Sequence, residues 1–250
     1  MAERSNIFSD LPRYVSEALR FYWETRTKQL KKQAGSGARD QGLRSAVTGG
    51  AQMDGFIELL TQLVIEAGID RGHIYYRDSL ELPGYFRPTK RWDFLVVVKG
   101  QLVAALEAKS QVGPSFGNNF NNRTEEAMGS AIDLWTAFRE KAFGSEVRPW
   151  LGYMFLLDDG PKSRASVAVK EPHFKVFEEF RNSSYAKRYE LFCRRLVLER
   201  HYDSAAFLLS CSQACLNVEY VEPASDLTFE KFAKTLVAQV AAFSGRIKEL

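Results

Sequence analysis

Two short apolar runs, Phe94 to Val98 and Leu102 to Leu106, flank Lys99-Gly100-Gln101. Val- and Leu-rich runs joined by a three-residue connection containing Gly predict a β-hairpin. Other runs fill in the rest of the chain. Residues 10 to about 34 read as a helix, begun by Asp10-Leu11-Pro12 and ended by Gly35-Ser36-Gly37. A second helix spans about 53 to 67 and stops at Gly68, and His73 to Tyr76 begins the sheet. After the hairpin come an Asn-rich loop, a helix from about 123 to 142, and an apolar strand from Pro149 to Leu157 that ends at Asp158-Asp159-Gly160-Pro161. A helix at 173 to 199, strands at 205 to 211 and 216 to 221, and a helix at 228 to 248 complete the reading. This order predicts an α/β fold, an α+β arrangement around a mixed sheet. We expect one domain over 1–250, with a basic helical extension to residue 50, a core over 51–160 and a C-terminal α/β part over 161–250. No internal repeat is evident.

Three ionisable residues interrupt the apolar hairpin: Asp93, Glu107 and Lys109. An isolated buried charge is costly, so such groups need partners or a metal. With a three-residue loop, Val98 faces Leu102, and counting back sets Asp93 opposite Glu107. Lys109 then shares the face of Glu107 while Ala108 points away. A two-residue loop would shift this register by one and separate the carboxylates. Two carboxylates on one face suit a hard divalent cation such as Mg²⁺, with the Ala108 carbonyl as a further ligand. The ammonium of Lys109 would sit where charge develops in a phosphoryl displacement. Read without that chemistry, the same residues make a surface hairpin with a Glu107–Lys109 ion pair.

The stretch that follows is more specific. From Leu82-Pro83-Gly84-Tyr85-Phe86-Arg87-Pro88-Thr89-Lys90, through Lys109-Ser110-Gln111-Val112-Gly113-Pro114, to the Asn-rich segment, the chain resembles the XhoI-type restriction endonucleases of the PD-(D/E)xK nuclease superfamily. The resemblance is densest from about 80 to 145, and Trp92 stands where the superfamily's name has proline. It implies a restriction-endonuclease-like core and Mg²⁺-dependent cleavage of double-stranded DNA at the palindrome CTCGAG. The cut that the resemblance implies falls after the first C and leaves 5′ overhangs and 5′-phosphates. It also implies metal ligation by Asp93 and Glu107 and catalysis by Lys109. A further acid from the preceding helix is expected, with Glu58 ahead of Asp54. A palindromic target implies a C₂ homodimer, and a site-specific nuclease implies a protective DNA methyltransferase in its host.

Residues 115 to 123 add Ser115, Asn118, Asn119, Asn121, Asn122 and Arg123. Asn can pair with adenine and Arg with guanine in the major groove, and Asn122 with Glu125 also fits a helix cap. Lys90 and Arg91 are placed to contact phosphates near the cut.

Composition narrows the alternatives. The 250 residues are 45% hydrophobic, enough for a sizeable core. No run approaches the roughly 20 apolar residues of a membrane helix. The N-terminus lacks a signal peptide's apolar region, and Cys193, Cys211 and Cys215 have no CxxC spacing. Reduced thiols in the cytoplasm are the expectation. His73, His173 and His201 are scattered, and no P-loop is present. The net charge of +3 is unevenly spread, since residues 1 to 50 hold nine Lys/Arg against five acids. Such a segment suits phosphate contacts or a solvated helix face equally. Another nuclease of the superfamily, for repair or structure-selective cutting, and a DNA-binding module with a decayed metal site are the competing readings. Intact Asp93, Glu107 and Lys109 argue against decay.

Overall fold

A computed structural model describes residues 7–35, 51–113, 115–144, 147–212 and 220–248. Residues 36–50, and 216–219 of the expected 216 to 221 strand, therefore lie outside the described residues. Among the described residues, six strands form one mixed sheet in the order β1 (Ile74–Tyr75), β4 (Phe94–Val98), β5 (Gln101–Gln111), β6 (Trp150–Asp158), β7 (Ser204–Ser210) and β8 (Tyr220–Val221). β4 to β5 is antiparallel, while β5, β6 and β7 run parallel. A separate two-stranded hairpin, β2 (Glu81–Pro83) and β3 (Thr89–Arg91), went unpredicted because its strands are three residues long.

Helices cover both faces of the sheet. α1 (Leu11–Gly35), α2 (Asp54–Glu66) and the C-terminal α6 (Phe229–Lys248) bury one side, and α3 (Phe116–Arg139) and α5 (Tyr185–Leu198) bury the other. A single turn, α4 (Pro161–Arg164), follows β6. The stripe Leu11, Val15, Ala18, Leu19, Tyr22 and Trp23 explains the first helix, since these positions recur every three or four residues and all are buried. The parallel central strands read as continuous apolar runs because both of their faces are covered.

Two expected elements are corrected. The segment 116–122 is helical, since α3 begins at Phe116 rather than near 123. Phe116 and Phe120 lie one turn apart, and both pack on the α5 aromatics Tyr185 and Tyr189. That packing overrides the weak helix propensity of Gly and Asn. Ser115, not Asn122, takes the N-cap position, and its side chain makes no cap hydrogen bond. The helix expected over 173 to 199 shortens to α5, which starts after Ser184, whose hydroxyl accepts from the Lys187 N–H at 3.2 Å. Among the described residues, no helix is long and apolar enough to cross a membrane.

The β4–β5 hairpin differs from the counted one in a way that preserves its outcome. Val98 pairs with Gln101, so the loop has two residues, Lys99 and Gly100, both at positive φ (49° and 76°). This loop alone would separate the carboxylates. A bulge between Val96 and Val97 then absorbs Val103, which shares a core face with its neighbour Ala104. Beyond it Val96 pairs with Ala104 and Phe94 with Leu106, restoring the register that sets Asp93 opposite Glu107. Gly100→Ala should cost about 1 kcal/mol or more, because only glycine takes that φ without strain. Thermal unfolding would show a Tm lowered by roughly 2–4 °C; an unchanged Tm would refute the two-residue turn.

Candidate active site

β5 has eleven residues and its partner β4 only five, so the last five residues of β5, Glu107 to Gln111, have no strand beside them on that side. Asp93 fills the place of the missing strand. Its own N–H donates to the Leu106 carbonyl at 3.1 Å, and its Oδ2 accepts from the Ala108 N–H at 2.9 Å. A side-chain carboxylate thus continues the hydrogen-bond ladder where the backbone stops.

Lys109 Nζ lies 2.9 Å from Asp93 Oδ2 and 3.2 Å from Glu107 Oε1. Both carboxylates therefore converge on one cationic centre. Glu107 is only 2% exposed, and it gains two further partners that sequence reasoning did not find. Lys90 Nζ is 3.2 Å from Oε1, and the Tyr202 hydroxyl is 3.1 Å from both Oε2 and the Ala127 carbonyl. Lys90 lies over the ring of the buried Trp92, 4.5 Å from its centroid, so it points inward rather than towards solvent phosphates. The residue in the proline position serves as the platform for that lysine.

Burial works to raise the Glu107 carboxyl, but Lys109 and Lys90 outweigh it and hold the group below the ordinary glutamate range. For Lys109, burial works to lower the ammonium, and Glu107 with Asp93 prevails, so it stays protonated. Burial pushes the Tyr202 phenol well up, leaving a neutral hydroxyl.

A cleft of about 480 Å³ is lined by Asp54, Arg91, Asp93, Lys109 and Arg123 among others, while Glu107 and Lys90 border a neighbouring depression that shares Lys109 and Arg123 with it. Asp54 belongs to the cleft. Glu58 does not: it sits on the outer side of α2, bonded to Arg71 at 3.3 Å and to Gln62 at 2.7 Å. Partial burial raises the Asp54 carboxyl, with Arg77 opposing. Arg91 is exposed, pairs with Glu81 at 3.0 Å and donates to the Arg77 carbonyl at 2.7 Å. Asn118, Asn121 and Asn122 stand exposed on the first turns of α3, as does Ser115 before them, and Asn119 is half-buried. Asn121 donates to Glu125 at 2.9 Å, and Arg123 pairs with Glu126 at 2.6 Å.

The donor set suits a hard divalent cation. Two carboxylate oxygens already meet around one positive charge, an arrangement a dication could take over, and neither His nor Cys competes. Among the described residues no cluster of three or more His, Cys, Asp or Glu is present, so water and substrate oxygens would complete the coordination.

A second buried carboxylate braces the rim. Asp133 of α3 is 2% exposed. Its Oδ1 accepts the N–H groups of Tyr85 and Phe86 at 2.7 and 2.8 Å, and its Oδ2 accepts Arg87 Nε at 2.7 Å.

A six-stranded mixed sheet between helical layers, with acids and lysines at an open strand edge, is the architecture of the restriction-endonuclease-like α/β class. The family model described as Restriction endonuclease XhoI matches residues 32–222, and the chain belongs to that family of type II restriction endonucleases. It is 55% identical over 217 residues to the type II restriction enzyme BstVI of Geobacillus stearothermophilus, covering 85% of this chain and 96% of that one. It is 46% identical over 181 residues to the type II restriction enzyme XhoI of Xanthomonas vasicola, 71% of this chain and 72% of the other. With AbrI of Azospirillum brasilense, also a type II restriction enzyme, identity is 50% over 168 residues, 67% and 75% of the two chains. No solved structure matches significantly.

Burial works to raise the Asp133 carboxyl, yet the amides of Phe86 and Tyr85 and the Arg87 guanidinium hold it below the ordinary aspartate range. A depressed carboxyl stabilises the fold above its unfolded pKa, and that contribution is lost as pH falls through the folded value. Asp133→Asn should therefore cost about 2–3 kcal/mol near neutrality, with the gap to the parent closing below about pH 4. Urea unfolding of both proteins at neutral and acid pH checks this; a gap independent of pH would remove the charge from the account.

Proposed function

We propose that this protein is a Mg²⁺-dependent type II restriction endonuclease that hydrolyses double-stranded DNA at CTCGAG, cutting after the first C to leave 5′ overhangs and 5′-phosphates. The observation that carries the chemistry is the convergence of Asp93 Oδ2 and Glu107 Oε1 on one cationic position. The resemblance of the 82–123 stretch and the likeness to XhoI support the target sequence.

Asp93, Glu107 and the Ala108 carbonyl would hold the cation, with Asp54 rather than Glu58 as the additional acid because it lines the same cleft. Bound there, Mg²⁺ supplies Lewis-acid activation of the scissile phosphate. Lys109, kept protonated by its two carboxylates, donates to the phosphoryl group and offsets charge as water attacks in line. The 3′ oxygen leaves and the phosphate stays on the 5′ end. Glu107 holds its aim because Lys90 and Tyr202 bind it from two other segments. Arg91 and Arg123 flank the cleft as phosphate or base contacts, with Ser115 and Asn118, Asn119, Asn121 and Asn122 along the start of α3. A two-fold target is read by a homodimer, one site per strand, working in the cytoplasm beside a methyltransferase that protects host DNA.

Purified protein with unmethylated plasmid should give discrete fragments with Mg²⁺ and none with chelator. Asp93→Ala and Lys109→Ala should each slow cutting by about 10³-fold, while duplex binding in Ca²⁺ persists. Cleavage retained by either variant would sink the residue assignment. Ends mapping away from CTCGAG would sink the specificity alone.

A further inference from the structure

The β2–β3 hairpin ends in an aromatic tip for which the chemistry above has no use. Tyr85 is 55% exposed and Phe86 69%, and their rings meet edge to face at 5.0 Å. The backbone beneath them is clamped. Both amides donate to the buried Asp133, and the Gly84 N–H reaches the Pro88 carbonyl at 3.3 Å. Gly84 is packed so closely that a Cβ there would lie 2.6 Å from both the Arg87 carbonyl and Asp133 Oδ2. A turn built this tightly presents its two rings in a fixed pose.

The neighbourhood indicates what the rings meet. Arg87, the next residue, lines a depression of about 390 Å³ with Lys90, Lys109 and Arg123 and with the carboxylates of Glu107, Glu125 and Glu126. Lys109 and Arg123 line both this depression and the larger cleft, so Arg87, the residue after the tip, borders the candidate site.

We propose that Tyr85 and Phe86 form a rigid wedge that stacks on DNA bases beside the cleaved phosphodiester and helps to fix the duplex in register. This rests on the reading of the cleft as a duplex-DNA nuclease. Aromatic insertion at a base step trades unstacking for a bent duplex with more contact to protein, and a preformed tip loses little conformational entropy in doing so.

The test uses the full chain with Ca²⁺ in place of Mg²⁺ and duplex oligonucleotides carrying the cleaved sequence, with 2-aminopurine placed at each position in turn. The parent should raise fluorescence at a position at or next to the cut. Phe86→Ala should abolish that signal and weaken duplex binding about tenfold, the scale of one base–aromatic stack. Tyr85→Ala should do the same in part, and Phe86→Trp should restore binding. Both rings are exposed, so Tm should not move. If Tyr85→Ala and Phe86→Ala bind and cut like the parent, the wedge is refuted while the nuclease stands. If Phe86→Ala instead dissociates a DNA-free dimer in sedimentation, the tip is a self-interface and the proposal falls. A parent protein that neither binds nor cuts duplex DNA would overturn the nuclease reading itself.

Discussion

The buried carboxylate of Glu107 is the constraint on which the site depends. Removing a carboxylate from water costs several kcal/mol even after relaxation, and this one is almost fully enclosed. Its partners come from three separate parts of the chain: Lys90 from β3, Lys109 from β5 itself, and Tyr202 from the turn before β7. Each is therefore fixed relative to the sheet by the same charge. Loss of any one would leave an ion short of a partner in a low-dielectric interior, which costs more than the contact itself is worth. The small β2–β3 hairpin, which has little core of its own, is tied to the main sheet through this interaction.

The second constraint is the register of β4 against β5. A two-residue turn and a one-residue bulge each shift pairing by one, and they compensate. Neither could be changed alone without moving Asp93 out of line with Glu107. The unequal strand lengths matter as much. Because β5 outruns β4, its edge beyond Leu106 is free to receive a side chain, and Asp93 takes the Ala108 amide. On its other edge β5 stays paired with β6 as far as Gln111, so the opened segment remains rigid. Functional groups on a strand held from one side are positioned more tightly than on a loop.

This explains which parts were legible in the sequence. Asp93, Glu107 and Lys109 share one hairpin, and strand alternation is local, so counting reached the correct pairing even though the assumed loop was wrong. Lys90 and Tyr202 reach Glu107 from 17 and 95 residues away, through tertiary packing that no spacing rule encodes. The start of α3 was misread because Gly117 and four Asn dominate local propensity. The overlooked signal was Phe116 and Phe120 in phase with the buried Ala127, Ala131 and Leu134. The shortened α5 carried a signal too, Asn182-Ser183-Ser184, a polar run of cap formers directly before the apolar stripe. Of the two candidate acids on α2, Asp54 lines the cleft, whereas Glu58, the one expected first, does not. Arg71, thirteen residues on, draws it away.

Glu107 and Asp133 act as a pair of anchors. Both are buried anions on rigid elements, one on the central strand and one on the helix crossing it, and both bind cations of the same hairpin, Lys90 and Arg87. Cations gathered at one rim repel one another, so a basic edge is stable only if something beneath it holds opposite charge. A hairpin of two three-residue strands is marginal by itself. Fixed at its base by Glu107 and at its turn by Asp133, it becomes a rigid extension of the sheet, able to hold Lys90 against Glu107 and to carry an exposed aromatic tip.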